Sequence, residues 1–105
     1  MPVSNGLYYS FSERGLQRYP PVVLIHCAGG SHLSWSMEMR RQNDLQVIAV
    51  DLPGHGRSEG IALQSIEGYV QKLFDFLESL KIHRALLVGH SMGGAIALSA
   101  AAKQP

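Results

Sequence analysis

Six consecutive residues carry the clearest chemical signal in this sequence: Gly89, His90, Ser91, Met92, Gly93 and Gly94. The pattern G-x-S-x-G is typical of a serine nucleophile held at a sharp turn between a strand and a helix. Glycine is expected on either side of the serine, because a side chain there would collide with its neighbours. A helix after the turn would place the free N–H of Met92 where it stabilises an oxyanion. His90 is expected to line the turn.

Three short apolar runs are placed to support this turn: residues 22–25, 47–50 and 85–88. Continuous β-branched and apolar runs of this length are typical of strands buried on both faces of a parallel sheet. An aromatic-rich segment at residues 7–11 predicts one more strand, in an N-terminal hairpin. The run at 85–88 ends at Gly89, so the sheet would deliver the chain directly to the serine.

Helical patterns separate and follow these strands. Residues 65–80 repeat apolar side chains every three or four positions, which predicts an amphipathic helix with Ser65 as its cap. A weaker helical pattern covers residues 34–43, and an alanine-rich helix, apolar nearly all round, is expected over residues 95–102. Alternating strands and helices predict an α/β fold with a doubly wound, mostly parallel sheet and flanking helices.

Composition restricts the classes of protein that this chain represents. Its 105 residues are 46% hydrophobic and 16% charged with a formal net charge of +1, which indicates one globular domain rather than a disordered segment. Scattered charges give no basic stripe for nucleic acid. One cysteine, Cys27, cannot form an internal disulfide. The sequence has neither a secretory signal nor an apolar run long enough to cross a membrane, so a cytoplasmic location is expected.

Three loops, read together, resemble the alpha/beta hydrolase family of serine esterases. They are VVLIHCAGGSHLSW, VIAVDLPGHGRSEG and LLVGHSMGGAIAL, and the likeness covers residues 7–105 as the N-terminal portion of one such domain. The resemblance implies that Ser91 attacks a small-molecule acyl substrate while the N–H groups of Met92 and Ala28 hold the oxyanion. It implies no cofactor and no metal. Cys27 departs from the family pattern, which has glycine there, and its side chain is expected to disturb this loop or to remain inert.

The histidines and the other polar residues outside the serine turn indicate structural roles. Five histidines lie in separate segments without paired metal-ligand spacing, so a metal site is not predicted; they are His26, His32, His55, His83 and His90. His26 is expected to hydrogen-bond within its loop rather than act as a base. Asp51 and Arg57 are expected in hydrogen bonds of a structural turn.

Two further sets of residues bear on ligand binding. The glycines at 54, 56 and 60 lack dinucleotide-binding spacing, and no P-loop lysine motif is present. Trp35, Met37 and Met39 are candidates for the border of an acyl pocket, although packing is the commoner role of such residues.

The segment after Ser91 lacks the partners that a serine nucleophile requires. A serine needs a histidine oriented by a carboxylate, and in the resembled family both follow the serine in the chain. Residues 92–105 contain no Asp, Glu or His. We therefore expect a truncated chain that is inactive by itself and either self-associates or needs a complementing C-terminal half. The alternative is a non-catalytic remnant or interaction module that retains half of the fold.

Overall fold

The computed structural model describes residues 2–12, 19–41, 45–58 and 60–104. Five strands form one sheet: β1 Val3–Ser4, β2 Leu7–Ser12, β3 Val22–Ile25, β4 Val47–Val50 and β5 Leu86–Gly89. Their spatial order is β1-β2-β4-β3-β5. The three strands β4, β3 and β5 run parallel, whereas β2 is antiparallel to both β1 and β4. The predicted N-terminal hairpin and the mostly parallel sheet are confirmed.

Three helices flank this sheet: α1 Met37–Arg40, α2 Ile66–Ser79 and α3 Met92–Lys103. The predicted cap of α2 is confirmed, because the Ser65 side chain accepts a hydrogen bond from the Gly68 N–H. The predicted helix over residues 34–43 is wrong in extent. A single 3₁₀ turn at His32–Ser34 and the one-turn α1 replace it, and residues 42 and 43 lie outside the described residues. Helix α3 begins three residues before the predicted start, at Met92.

Both faces of the sheet are covered, as the doubly wound prediction requires. On one face, alternate residues of β3 and β4 pack with α2 and α3 around Leu73, Phe76 and Ile96. On the opposite face a smaller cluster of strand residues packs with Trp35 and Leu45. Each fully buried Leu, Ile or Phe contributes about 1.5–3 kcal/mol to folding. The two clusters therefore hold β3 and β4 rigidly at the centre of the sheet.

The last strand lies at an open edge. The run at 85–88 has the composition of a strand buried on both faces, whereas β5 is the edge of the described sheet and Leu86 is 60% exposed. Helix α3 is likewise not enclosed all round, since Leu98 is 76% exposed. The apolar composition of β5 and α3 thus exceeds what their surroundings cover in the described part of the chain.

Candidate active site

Ser91 occupies a sharp turn between β5 and α3. Its backbone has φ 57° and ψ −116°, a conformation that residues other than glycine rarely adopt and that costs about 1–3 kcal/mol. Gly89 ends β5 immediately before this turn, and Gly93 lies in the first turn of α3. The serine is exposed, and its hydroxyl caps no N–H of the helix. A strained serine that does not cap its own helix is available for other chemistry.

The glycines around Ser91 are required by close backbone packing. A Cβ atom on Gly89 would overlap the Gly93 carbonyl, and one on Gly93 would overlap the Ile25 carbonyl oxygen at the end of β3. The Gly93 Cβ would also lie 2.6 Å from the His26 carbonyl oxygen. Helix α3 consequently begins in direct backbone contact with the loop after β3. This contact brings the Ser91 turn beside the loop that carries Ala28.

The two N–H groups that the sequence predicts to hold an oxyanion have no partner in the described chain. Met92 is the first residue of α3, and neither its N–H nor that of Ala28 donates a hydrogen bond to a described residue. Ala28 is exposed in the loop that follows β3. Unpaired N–H groups at a helix N-terminus and in an adjacent loop are suited to bind an anion. The two donors predicted from the sequence are thus both available.

His26 is fully buried between the loops that follow β3 and β4. Its Nδ1–H donates to the Cys27 carbonyl at 2.6 Å, and its Nε2 accepts from the Leu52 N–H at 3.0 Å. Burial is the main cause that lowers the pKa of this imidazole below its ordinary value. Both nitrogens are occupied, so His26 is a structural bridge. The predicted hydrogen bond within its own loop is confirmed.

Asp51 is also fully buried, at the end of β4. Its carboxylate accepts hydrogen bonds from the His32 N–H at 2.6 Å, the His32 Nδ1–H at 2.9 Å and the Arg57 N–H at 2.9 Å. The predicted hydrogen bonding of Asp51 and Arg57 is confirmed. The role of His32 was missed, because only the fold brings it within reach of a residue 19 positions away. The His32 ring also lies 5.1 Å from the ring of Tyr8.

The histidines upstream of Ser91 are held in other contacts. The His32 side chain is held by the Asp51 carboxylate at the end of β4 and lies against the ring of Tyr8 in β2. The His55 Nδ1–H donates to the Pro53 carbonyl, and its ring lies 5.0 Å from that of His26. No described hydrogen bond joins a histidine to Ser91. The His90 side chain is exposed, and its N–H donates to the Ile25 carbonyl at 3.2 Å.

Cys27 stabilises its loop mainly through the hydrogen bonds that its backbone carbonyl accepts. Its carbonyl oxygen accepts from the His26 Nδ1–H and from the Gly30 N–H, the latter at 3.0 Å. Its half-buried thiol lies 3.3 Å from the position that a Cβ on Gly30 would take. The cysteine side chain therefore folds back toward Gly30 within its own loop.

An open depression of about 440 Å³ adjoins this loop. Its described lining residues are Gly29, Gly30, Ser31, Leu33, Ser34 and Gly56. The three residues predicted to border an acyl pocket do not line it. Trp35 packs on the smaller core cluster, while Met37 and Met39 are exposed.

The described residues also bear on metal binding and on membrane insertion. Within residues 2–12, 19–41, 45–58 and 60–104, no three His, Cys, Asp or Glu side chains converge to hold a metal ion. None of the helices in these same ranges has the length and apolar character that crossing a bilayer requires.

Comparison with known proteins identifies the class to which this fold and site belong. A sequence model of the alpha/beta hydrolase family matches residues 22–104, and the chain belongs to that family. The chain is similar to 2-succinyl-6-hydroxy-2,4-cyclohexadiene-1-carboxylate synthase of Enterobacter sp. (strain 638), with 35% identity over 94 residues, which cover 90% of this chain and 36% of the synthase.

Solved structures extend the likeness to hydrolases. A marine microorganism esterase superposes with a TM-score of 0.82 at 28% identity, covering 94% of this chain and 37% of the esterase. The enol-lactonase from Burkholderia xenovorans LB400 superposes with a TM-score of 0.79 at 29% identity, covering 96% of this chain and 40% of the lactonase. The chain spans only 28–39% of the length of the first curated relatives that it matches.

Proposed function

We propose that this chain carries the nucleophile and the oxyanion-binding groups of a serine hydrolase that cleaves an ester or similar acyl substrate. The observation that supports the proposal best is the conformation of Ser91, a positive-φ residue between β5 and α3 with an exposed, unbonded hydroxyl. Its conformational strain is the kind that persists where surrounding structure enforces a functional geometry. In the proposed role this turn is a nucleophile elbow.

The chemistry follows from the groups around the turn. The Ser91 Oγ attacks the substrate carbonyl carbon as its proton passes to a base. The N–H groups of Met92 and Ala28 stabilise the negative oxygen that forms, and this kind of stabilisation is worth about 2.7–4 kcal/mol per donor. Collapse of the tetrahedral intermediate expels the protonated leaving group and leaves an acyl-enzyme, which water hydrolyses to free Ser91.

The base and its orienting acid are proposed to come from outside residues 1–105. Residues 92–105 contain no Asp, Glu or His, and the hydrogen bonds of His26 and His32 occupy them elsewhere. A complementing polypeptide segment would supply the two missing groups next to the open edge of β5. The isolated chain should therefore turn over substrate slowly or not at all. A cytoplasmic location for the assembled enzyme stays a prediction.

The substrate class is taken from chemistry shared by two neighbours. An esterase and an enol-lactonase both have names that denote cleavage of an acyl–oxygen bond. The synthase is named for a different reaction, so membership of the family alone does not select hydrolysis. An ester or lactone is the substrate we propose for this chain.

Chemical rescue tests the proposal in the chain as it exists. Imidazole supplies a base in solution, so a fluorophosphonate probe should label Ser91 faster as the imidazole concentration rises. Ser91→Ala should abolish labelling. Ser99→Ala, in the same helix α3, is the matched control and should leave labelling unchanged.

The result also decides between the two functional readings. Hydrolysis of p-nitrophenyl acetate should be weak without imidazole and should depend on Ser91. If the folded chain resists the probe at every imidazole concentration, Ser91 is not an activatable nucleophile. That result would favour the alternative of a non-catalytic remnant or interaction module.

A further inference from the structure

Two buried polar side chains bridge the loops at the top of the sheet in opposite directions. His26 follows β3 and binds the backbone of the loop after β4, through the Leu52 N–H at 3.0 Å. Asp51 follows β4 and binds the loop after β3, through the His32 N–H at 2.6 Å. Both side chains are fully buried. The two loops are thus cross-linked twice, by a pair of reciprocal hydrogen bonds that we term the loop clamp.

The clamped His26 side chain also fixes the orientation of one peptide unit, that between Cys27 and Ala28. The Cys27 carbonyl and the Ala28 N–H belong to the same planar trans peptide unit, so they point in opposite directions. Two donors fix that carbonyl, the His26 Nδ1–H at 2.6 Å and the Gly30 N–H at 3.0 Å. Holding the carbonyl oxygen on the inner side turns the Ala28 N–H outward. It is this N–H that has no partner among the described residues.

The hydrogen bond that Nε2 of His26 accepts fixes the tautomer of the ring that donates to the Cys27 carbonyl. Because Nε2 accepts from the Leu52 N–H, it carries no proton, and the single proton of the neutral ring resides on Nδ1. The Asp51 carboxylate in turn holds the loop after β4 through the Arg57 N–H at 2.9 Å. Leu52 directly follows Asp51, so its N–H is presented to His26 from a loop that is itself fixed.

We propose that His26 is a positioning residue that aims the Ala28 N–H at the oxyanion, with Asp51 holding the loop against which His26 is braced. The inference rests on the proposed function, because the direction of this N–H matters to catalysis only if Ser91 forms a tetrahedral intermediate beside it. His26 itself touches neither the substrate nor the reacting atoms. It acts through the Cys27–Ala28 peptide.

Two substitutions separate the two hydrogen bonds of the His26 side chain. In His26→Asn the amide nitrogen takes the place of Nδ1 and keeps the donor to the Cys27 carbonyl, while the bond to Leu52 is lost. In His26→Gln the amide oxygen takes the place of Nε2 and keeps the acceptor for Leu52, while the donor to Cys27 is lost. A merely structural role would make the two variants equally defective. The positioning role predicts that His26→Asn keeps most of the labelling rate of Ser91, whereas His26→Gln loses most of it.

The first measurement is the rate at which a fluorophosphonate labels Ser91 in the presence of imidazole. Loss of one oxyanion donor lowers rates by about 10²- to 10³-fold in hydrolases, and a misdirected donor should cost part of that. We expect at least roughly a tenfold loss in His26→Gln and at most about threefold in His26→Asn, both in chains that melt cooperatively. Equal losses, or none in His26→Gln, would overturn the proposal.

The second measurement does not depend on reactivity. In the wild-type chain, NMR should detect a scalar coupling across the Leu52 N–H···Nε2 hydrogen bond, and ring nitrogen shifts should report the Nδ1–H tautomer. The Ala28 amide resonance should move in His26→Gln and stay near its wild-type position in His26→Asn. If Ser91 is never labelled, the proposed function fails, but these spectra still decide whether His26 orients the peptide. Absence of the coupling refutes the clamp.

Discussion

The two sides of the candidate site differ in how completely their polar groups are hydrogen-bonded and their apolar groups buried. On the β3–β4 side, His26 and Asp51 are fully buried, and their side chains make five hydrogen bonds to backbone and side-chain donors or acceptors. On the β5–α3 side, the hydroxyl of Ser91 is unbonded and large apolar side chains such as Leu98 are exposed.

This contrast teaches which part of the site the chain completes by itself. Buried polar groups that are fully hydrogen-bonded hold one geometry, since breaking any bond leaves a costly orphan. The loop after β3, which carries the proposed oxyanion donor, is therefore preorganised within this chain. The side that carries Ser91, in contrast, presents an open strand edge and an exposed helix face, which are features that associate with other polypeptide.

Substitution of Gly93, where α3 contacts the end of β3, should have the largest effect on stability. In Gly93→Ala the new Cβ would overlap the Ile25 carbonyl oxygen, and neither backbone has room to move. We expect a loss of about 3 kcal/mol in the free energy of unfolding, measured by urea denaturation. Gly94→Ala is the matched control, because its Cβ would lie 3.5 Å from the nearest atom, the Gly89 carbonyl oxygen. That variant should be neutral or more stable, since alanine favours helix, and an equal loss would contradict the close-packing argument.

The next largest effect on stability is expected from substitution of Asp51, on the β3–β4 side of the site. Asp51→Asn replaces one carboxylate oxygen by an amide nitrogen, so at least one of the three N–H donors, two of them buried, loses its acceptor. The free energy of unfolding should fall by about 2–3 kcal/mol. Asp75→Asn, on the exposed face of α2, is the control and should change stability by less than about 0.5 kcal/mol. A stable Asp51→Asn protein would show that the loop after β4 is held by other contacts.

Low pH should destabilise the β3–β4 side of the site. The folded-state pKa of His26 is lowered by burial, so below its ordinary value near 6.5 the unfolded chain binds the proton more readily. Stability should therefore decrease as the pH falls from about 6.5, by at most about 1.4 kcal/mol per pH unit from this group. The charged or titratable groups that face it are His55, Asp51 and His32.

Thermal melts between pH 7.5 and 5 measure this effect. His26→Gln removes the titrating ring, so its melting temperature should depend less on pH over the same range. If wild type and variant lose stability in parallel, another group is responsible for the acid sensitivity.

The smallest effect on stability should come from the open side, although its effect on association should be clear. Leu98→Glu alters an exposed position of α3 and should change the free energy of unfolding by no more than about 0.5 kcal/mol. We expect the wild-type chain to self-associate, and a charge at this position to shift it toward monomer in sedimentation velocity experiments. Leu33→Glu places the same charge at an exposed leucine of the loop after β3 and should leave association unchanged. A monomeric wild-type chain would remove the basis of this prediction.

Much of the fold was predictable because local signals agree with it. The continuous apolar runs at 22–25 and 47–50 are buried strands in parallel register, and the period of residues 65–80 gives α2 with its Ser65 cap. The spacing of glycines around Ser91 predicts a tight turn, and the turn has the positive φ that the spacing requires. The apolar run that forms β5 predicts a strand, but its composition alone does not reveal whether a neighbour covers it.

By itself, the sequence determined the order of strands and helices and the position of the serine turn. These features depend on residue type and on short spacing, which are local properties. Only the tertiary structure decided that His32 serves Asp51, that both nitrogens of His26 are occupied and that the Cys27–Ala28 peptide is held from two sides. Such contacts join residues far apart in the chain, and no periodic pattern encodes them, because they exist only once parallel strands bring separate loops to one end of the sheet.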